Sequence, residues 1–134
     1  MKKGVGNQQA RRRAGLAPEA RTSFGRDVEA RVSAALEARG YVVLERNARV
    51  GRDEVDVLAF EGTTLVLIEV RARSNASWQD AIATVRAGKV RRLKRAALAL
   101  VARGDHGGDV RIDVVAVGID GAEIVENAID FSVT

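Results

Sequence analysis

The chain has 134 residues, of which 46% are hydrophobic and 30% are charged, a composition typical of one soluble globular domain. It contains no cysteine and one histidine, which excludes disulfide scaffolds, zinc-thiolate sites, iron–sulfur clusters and multi-histidine metal centres. The longest apolar run, from Ala96 to Ala102, is far too short to span a membrane, and the N-terminal lysines are not followed by the apolar stretch of a secretory signal. These features predict a single-domain cytoplasmic protein with no membrane partner.

The net charge of +4 is concentrated near the N-terminus. Residues 1–21 hold six lysines and arginines against one acidic residue, and they show no helical or strand periodicity. We predict a flexible basic arm over residues 1–21, followed by a folded domain over residues 22–134. In this arm, Arg11, Arg12 and Arg13 are candidate contacts to nucleic-acid phosphates. A solvated terminus without a partner is the alternative interpretation.

Hydropathy patterns predict the elements of the folded domain. Apolar residues at helical spacing indicate a first helix from about Phe24 to Arg39, capped by Ser23 and ended by Gly40. The elements predicted after it are, in chain order, strands over Tyr41–Arg49, Glu54–Phe60 and Thr64–Arg73, a short helix over Trp78–Val85, a longer helix over Lys89–Arg103, and strands over Val110–Val117 and Ile124–Phe131. This order predicts an α/β fold with a mixed sheet of about five strands flanked by helices.

A tight turn at Gly62-Thr63 determines how the second and third strands face each other. If these two residues form a type II′ turn, with glycine first, Asp56 lies opposite Glu69 and Glu54 lies opposite Arg71. The two-residue period of a strand then places all four side chains on one face of the hairpin.

Asp56 and Glu69 each lie between two branched apolar residues. Carboxylates are costly to bury, and two of them opposed across a hairpin repel each other. A bound Mg²⁺ or Mn²⁺ would relieve both costs, because Mg²⁺ usually takes one or two carboxylates together with substrate phosphates. Such a site activates a bound water molecule for attack on a phosphodiester bond. The alternative is an exposed strand face, with a weak cross-strand ion pair between Glu54 and Arg71.

Two further residues complete the candidate catalytic group. Arg71 lies on the same predicted face as Glu69, where its charge would stabilise an anionic transition state. Glu29 lies at the edge of the apolar stripe of the first helix, where we expect the helix to meet the core. It is a candidate third carboxylate, or a residue that holds the attacking water.

The later helix carries a dense basic face, which points away from its apolar stripe. Its members are Lys89, at the boundary of the stripe, and Arg91, Arg92 and Arg95. Such a face is typical of contact with nucleic-acid phosphates, and a merely solvated face is the alternative.

The hairpin segments Glu54–Ala59 and Leu65–Arg73 resemble the YraN family of small bacterial endonuclease-like proteins. Further matching segments are Gly25–Ala30, Gly40-Tyr41, Arg46–Arg49, Lys89–Ala97 and Arg111–Val115. The resemblance covers roughly Ser23 to Phe131. It implies a restriction-endonuclease-like three-layer core, similar to that of archaeal Holliday-junction resolvases, with a site of the form acid, then acid-x-lysine.

Carried over by this resemblance, Asp56 and Glu69 are metal ligands, Glu29 is the helix acid, and Arg71 stands where those nucleases have lysine. Arginine does not lose its proton in proteins, so Arg71 cannot act as a general base, although it can stabilise charge and orient water. The implied function is Mg²⁺-dependent cleavage of DNA, with branched DNA of recombination or repair as a candidate substrate. The alternatives are a non-catalytic nucleic-acid-binding or adaptor module on the same fold, and an interaction domain with no nucleic-acid role. A homodimer that cuts two strands is left open.

Overall fold

The computed structural model describes residues 18–72, 85–104, 108–118 and 121–131. The described elements are, in chain order, α1 (Pro18–Ala38), β1 (Tyr41–Val50), β2 (Asp53–Glu61), β3 (Thr64–Ala72), α2 (Ala87–Arg103), β4 (Val110–Gly118) and β5 (Gly121–Val125). The predicted short helix over Trp78–Val85, apart from its last residue, lies outside the described residues. Neither described helix combines the length and the apolar character needed to cross a bilayer.

The five strands form one mixed sheet in the order β1-β2-β3-β4-β5. The first three strands are antiparallel neighbours, β4 runs parallel to β3, and β5 returns antiparallel to β4. A parallel step requires a long crossover connection, and α2 lies within that connection. The predicted mixed sheet of about five strands is confirmed.

Two apolar clusters cover the two faces of the sheet. One cluster joins α2 to Leu65 and Leu67 of β3, and the other joins α1 to Val66 and Ile68 of the same strand. Successive side chains of a strand point to opposite faces, so the continuous apolar run of β3 supplies both cores. The result is the predicted α/β/α arrangement of three layers.

The β2–β3 hairpin has the predicted turn and register. Glu61 pairs with Thr64 around a two-residue loop, in which Gly62 has φ of +60° and Thr63 does not share the positive φ. This combination is that of a type II′ turn. The ladder continues in the same register to the pair formed by Val57 and Ile68.

The first helix begins earlier than the sequence pattern predicts. It starts at Pro18 rather than near Phe24, so the last residues of the predicted arm belong to α1. Proline suits the first position of a helix, because its fixed φ is already helical and the missing N–H has no partner there anyway. The rest of the predicted arm, residues 1–17, lies outside the described residues, and its role stays a prediction.

A buried polar network on the α1 face holds the segment after Val125, where the last strand was predicted to continue to Phe131. Asp113 of β4 is 0% exposed and accepts hydrogen bonds from the Tyr41 hydroxyl at 2.6 Å, the Arg111 Nε at 2.8 Å and the Asn127 backbone N–H at 2.9 Å. Asn127 has φ of +53°, so the chain turns there after β5 ends at Val125. The predicted strand over Ile124–Phe131 was therefore wrong in its C-terminal part. Burial and the neighbouring Asp113 carboxylate raise the pKa of Tyr41 above its ordinary value.

The outer strand β1 is irregular. Its register with β2 shifts between Val43 and Glu45, which marks a β-bulge at Leu44. The side chains of Val42 and Leu44 are 62% and 49% exposed along this strand.

We expect Asp113→Ala to lower the free energy of unfolding by about 3 kcal/mol, because it leaves the largely buried Arg111 guanidinium and the Tyr41 hydroxyl without their shared acceptor. Urea denaturation at neutral pH measures this change. The exposed Glu37 on α1 gives a matched control, since Glu37→Ala should stay within about 0.5 kcal/mol of the wild type. A similarly small loss in Asp113→Ala would show that the network does not hold β4 and the turn after β5 in place.

Candidate active site

The β2 and β3 strands separate at Asp56. Their ladder stops at the pair formed by Val57 and Ile68, whereas β3 stays paired with β4 as far as Ala72. At the point of separation, the Asp56 Oδ2 accepts a hydrogen bond of 2.9 Å from the backbone N–H of Val70. A carboxylate side chain thus takes the place of a backbone partner, and the sheet opens beside it.

The other neighbour of β2 is also distorted at this level. Arg46 pairs with Val57 and Ala48 pairs with Val55, which places Asn47 level with Asp56. Asn47 has φ of +51°, in the left-handed region that asparagine tolerates better than most residues. Backbone in such conformations is often found at functional sites, where surrounding structure holds it.

Glu69 is the most deeply buried acidic residue on the α2 face of the sheet, with only 4% of its surface exposed. Its Oε1 is buried and has no hydrogen-bond partner in the part of the chain that the structure describes. Burial, and then the negative charge of the adjacent Asp56, raise the pKa of Glu69 to about 8, against the opposing effect of nearby cations. The two carboxylates therefore share one site, as the predicted register requires.

Two cations approach Glu69 from different elements. The Arg71 Nη1 lies 3.9 Å from the Glu69 Oε2, and the Lys89 Nζ lies 3.5 Å from the Oε1. Arg71 follows Glu69 on β3, as predicted. Lys89 comes from the first turn of α2 and was predicted only as a contact to phosphates on the basic face. Its position at the edge of the apolar stripe was the signal in the sequence that it faces the sheet.

Glu29 is not brought into contact with this pair. Its side chain is exposed, so the expectation that it lies where α1 meets the core was wrong. Among the described residues, no hydrogen bond or ion pair joins it to Asp56 or Glu69. However, Arg31, half a turn further along α1, donates a hydrogen bond of 2.7 Å to the Gly118 carbonyl. This bond places the Glu29 region near the ends of β3 and β4, and the role of Glu29 as a third acid stays a prediction.

The predicted basic face of α2 divides into two groups. Arg91 and Arg92 are exposed, as contact with phosphates requires. Arg95 instead forms two hydrogen bonds, of 2.9 and 2.7 Å, with the buried Asp53 at the start of β2. This bidentate contact lowers the pKa of Asp53. Arg95 therefore fastens α2 to the sheet, while Arg11, Arg12 and Arg13 lie outside the described residues.

The donor set of the site fits a hard divalent cation. Within the described ranges, no group of three or more histidine, cysteine, aspartate or glutamate residues is arranged to hold a metal. Asp56 and Glu69 form a pair, and one or two carboxylates are what Mg²⁺ commonly takes when substrate phosphates complete its shell. The Oε1 of Glu69, which accepts no hydrogen bond from any described residue, is a candidate for such a ligand.

We expect Glu69→Gln to change how stability depends on pH. Because the folded-state pKa of Glu69 is raised from 4.5 to about 8, the folded protein holds a proton that the unfolded chain has released between these values. The contribution of Glu69 to stability therefore falls as pH rises through this window, by at most about 1.4 kcal/mol per pH unit. The Glu69→Gln variant lacks this loss. The difference between its free energy of unfolding and that of the wild type should therefore increase steadily as the pH rises through the window.

Urea denaturation in the presence of a chelator, at several pH values across the window, measures this difference. Glu37→Gln makes the same change at an exposed glutamate, and its free energy of unfolding should depend on pH in the same way as that of the wild type. If the free energy of unfolding of Glu69→Gln showed the same pH dependence as that of the wild type, the pKa of Glu69 would be at its ordinary value and the burial of this carboxylate would carry no electrostatic cost.

Two solved structures share part of this fold. A repair endonuclease from Pyrococcus abyssi is similar at a TM-score of 0.42 and 19% identity, over 69% of this chain and 39% of that chain. The structure described as the EndoMS–dsDNA2 complex is similar at a TM-score of 0.42 and 23% identity, over 69% of this chain and 37% of that one.

The sequence comparisons are more extensive. A UPF0102 protein of Halorhodospira halophila is 43% identical over 100 residues, which cover 75% of this chain and 79% of the relative. A UPF0102 protein of Moorella thermoacetica is 40% identical over 107 residues, covering 75% of this chain and 89% of the relative. The model of the uncharacterised protein family UPF0102 matches residues 28–117, which include β1, β2, β3 and the whole of α2. The chain therefore belongs to the UPF0102 family, which is the YraN family indicated by its hairpin motifs.

Proposed function

We propose that the protein is a Mg²⁺- or Mn²⁺-dependent endonuclease-like enzyme that hydrolyses phosphodiester bonds of DNA. One observation carries this proposal: a buried glutamate, one oxygen of which has no hydrogen-bond partner among the described residues, lies beside a second carboxylate, at the point where the sheet opens. A purely structural site would satisfy that oxygen, because an unsatisfied buried acceptor costs about 1–3 kcal/mol. DNA as the substrate follows from the resemblance of the hairpin to the YraN family of endonuclease-like proteins.

Asp56 and Glu69 would hold the metal ion. When bound, the ion would supply charge neutralisation at a phosphate oxygen and acidify a water molecule. Asp56 is held in place by the Val70 N–H, so one of its oxygens is oriented by the backbone. Glu69 is held by its burial on β3, which stays paired with β4 as far as Ala72.

The remaining residues would bind and orient the substrate. The side chain of Arg71 is 36% exposed, so its guanidinium can contact a substrate phosphate while it remains near Glu69. Arg91 and Arg92, and Arg11, Arg12 and Arg13 of the N-terminal segment, would contact neighbouring phosphates. In the reaction, water adds to phosphorus and one P–O ester bond breaks. The water loses a proton to solvent, and the leaving oxygen gains one from solvent.

The metal site is tested by thermal unfolding. Mg²⁺ or Mn²⁺ should raise the melting temperature of the wild type, because a ligand that binds only the folded state stabilises it. Asp56→Asn should abolish this rise and leave the far-ultraviolet circular dichroism unchanged. Asp109→Asn alters an exposed aspartate before β4 and should retain the full rise. An unchanged metal response in Asp56→Asn would remove Asp56 from the site.

Cleavage assays test the reaction. Duplex, flap and junction DNA are incubated with either metal ion and with the wild type, Arg71→Ala or Arg71→Lys. If Arg71 stabilises the transition state, Arg71→Ala should lower the rate by about 10²–10³-fold, and Arg71→Lys should retain it or increase it. The exposed Arg49 on β1 is a matched control, and Arg49→Ala should cut at the wild-type rate.

The same assay separates the enzyme from a binding module. If the wild type cuts none of these substrates but Arg71→Lys does, the chain has a nuclease fold that has lost its chemistry. If neither protein cuts with either metal, the enzyme is ruled out, and a non-catalytic nucleic-acid-binding or adaptor module replaces it. Preference for branched DNA, pairing of two chains and a cytoplasmic location stay predictions.

A further inference from the structure

Lys89 differs in its surroundings from the other basic residues of α2. Its side chain is 21% exposed, whereas Arg91 and Arg92 extend into solvent. Its ammonium lies 3.5 Å from the Glu69 Oε1 and 3.5 Å from the Glu54 carbonyl oxygen. Lys89 thus bridges from the start of α2 to β2 and β3 beside the carboxylate pair.

The contact between Lys89 and Glu69 is one of charge rather than of full hydrogen bonding. The Glu69 Oε1 has no hydrogen-bond partner among the described residues, although the ammonium is the nearest cation to it. An ion pair that served stability alone would be expected to close this gap, because a buried acceptor without a hydrogen bond is costly. A water molecule beside this contact would accept a hydrogen bond from the ammonium and donate one to the Oε1.

Arg71 and Lys89 also differ in what they can reach. Arg71 approaches the Oε2 of Glu69 from the more exposed side, and Lys89 approaches the Oε1 from beneath α2. A lysine ammonium is a compact charge with three N–H donors, and among the described residues the Glu54 carbonyl accepts a hydrogen bond from one of them. A second donor is available to a water molecule beside Glu69.

We propose that Lys89 is a catalytic residue that holds and orients the attacking water next to Glu69, while Arg71 contacts the substrate phosphate. This inference rests on the proposed nuclease function. The bonds formed and broken are those of the hydrolysis already described, and Lys89 takes part as a hydrogen-bond donor.

The test compares Lys89→Met with Lys94→Met, which makes the same change at a half-buried lysine five residues further along α2. Lys89→Met should lower kcat on the DNA substrate that the wild type cuts best by about 10²–10³-fold, with KM changed less than threefold. Lys94→Met should leave kcat unchanged. In Lys89→Ala, added methylammonium should restore part of the lost rate with a saturating dependence on its concentration.

A second measurement is independent of activity. Removing a positive charge beside Glu69 lowers the repulsion felt by a divalent cation, so Lys89→Met should retain or enlarge the rise in melting temperature caused by Mn²⁺. Asp56→Asn should lose that rise. A Lys89 that served only to neutralise Glu69 would behave differently: Lys89→Met would lower stability, kcat would stay at the wild-type value, and amines would have no effect.

The outcomes for Lys89 and for the enzyme are distinct. If the wild type cuts DNA and Lys89→Met cuts it equally well, the assignment of Lys89 is wrong and the nuclease function stands. Loss of the Mn²⁺ effect in Lys89→Met would also overturn the assignment, because the variant would have disrupted the metal site itself. If the wild type cuts no DNA with either metal, the nuclease function fails and the catalytic role of Lys89 fails with it.

Discussion

The carboxylate of Glu69 can be ionised inside the sheet only while positive charge faces it. Its burial and the adjacent Asp56 both oppose ionisation, and the two nearby cations only partly offset them. Three local features surround this carboxylate. The β3 strand continues beside β4 after it separates from β2, and the Asp56 side chain accepts a hydrogen bond from the backbone of β3. The first turn of α2 places the Lys89 ammonium next to Glu69. A divalent cation would meet the same electrostatic need more completely, which is why the pair fits a metal site.

A second buried carboxylate, on the other face of the sheet, shows what a structural arrangement looks like. Asp113 is more deeply buried than Glu69, yet both of its oxygens accept hydrogen bonds, from Tyr41, Arg111 and the turn after β5. The two residues lie one position apart across the β3–β4 ladder, because Glu69 pairs with Val114. Among the described residues, both oxygens of Asp113 accept hydrogen bonds, whereas the Oε1 of Glu69 accepts none. This difference in hydrogen bonding, rather than burial alone, separates the network around Asp113 from the candidate site around Glu69.

The parts of the fold that the sequence predicts are those set by local geometry. Gly62 determines the turn, the turn determines the register, and the register brings Asp56 to Glu69. Contacts between residues distant in the chain were not predictable in this way. The end of β5 depends on Asn127 bonding to Asp113, and the position of Lys89 depends on how α2 sits over the sheet. The contact between Arg95 and Asp53 was equally unpredictable, because these residues are distant in the sequence and only the folded chain brings them together.

The irregular outer strand has a consequence for how the sheet ends. An edge strand offers unpaired backbone groups to any extended chain, and β1 adds two large apolar side chains, Val42 and Leu44, that reach solvent. The bulge at Leu44 and the left-handed Asn47 interrupt the straight row of donors and acceptors that an incoming strand would need. At the other edge, β5 is only five residues long. Both edges of the sheet are thus poor templates for an incoming strand, and the left-handed Asn47 on the β1 side of Asp56 also protects the molecule against strand-by-strand aggregation.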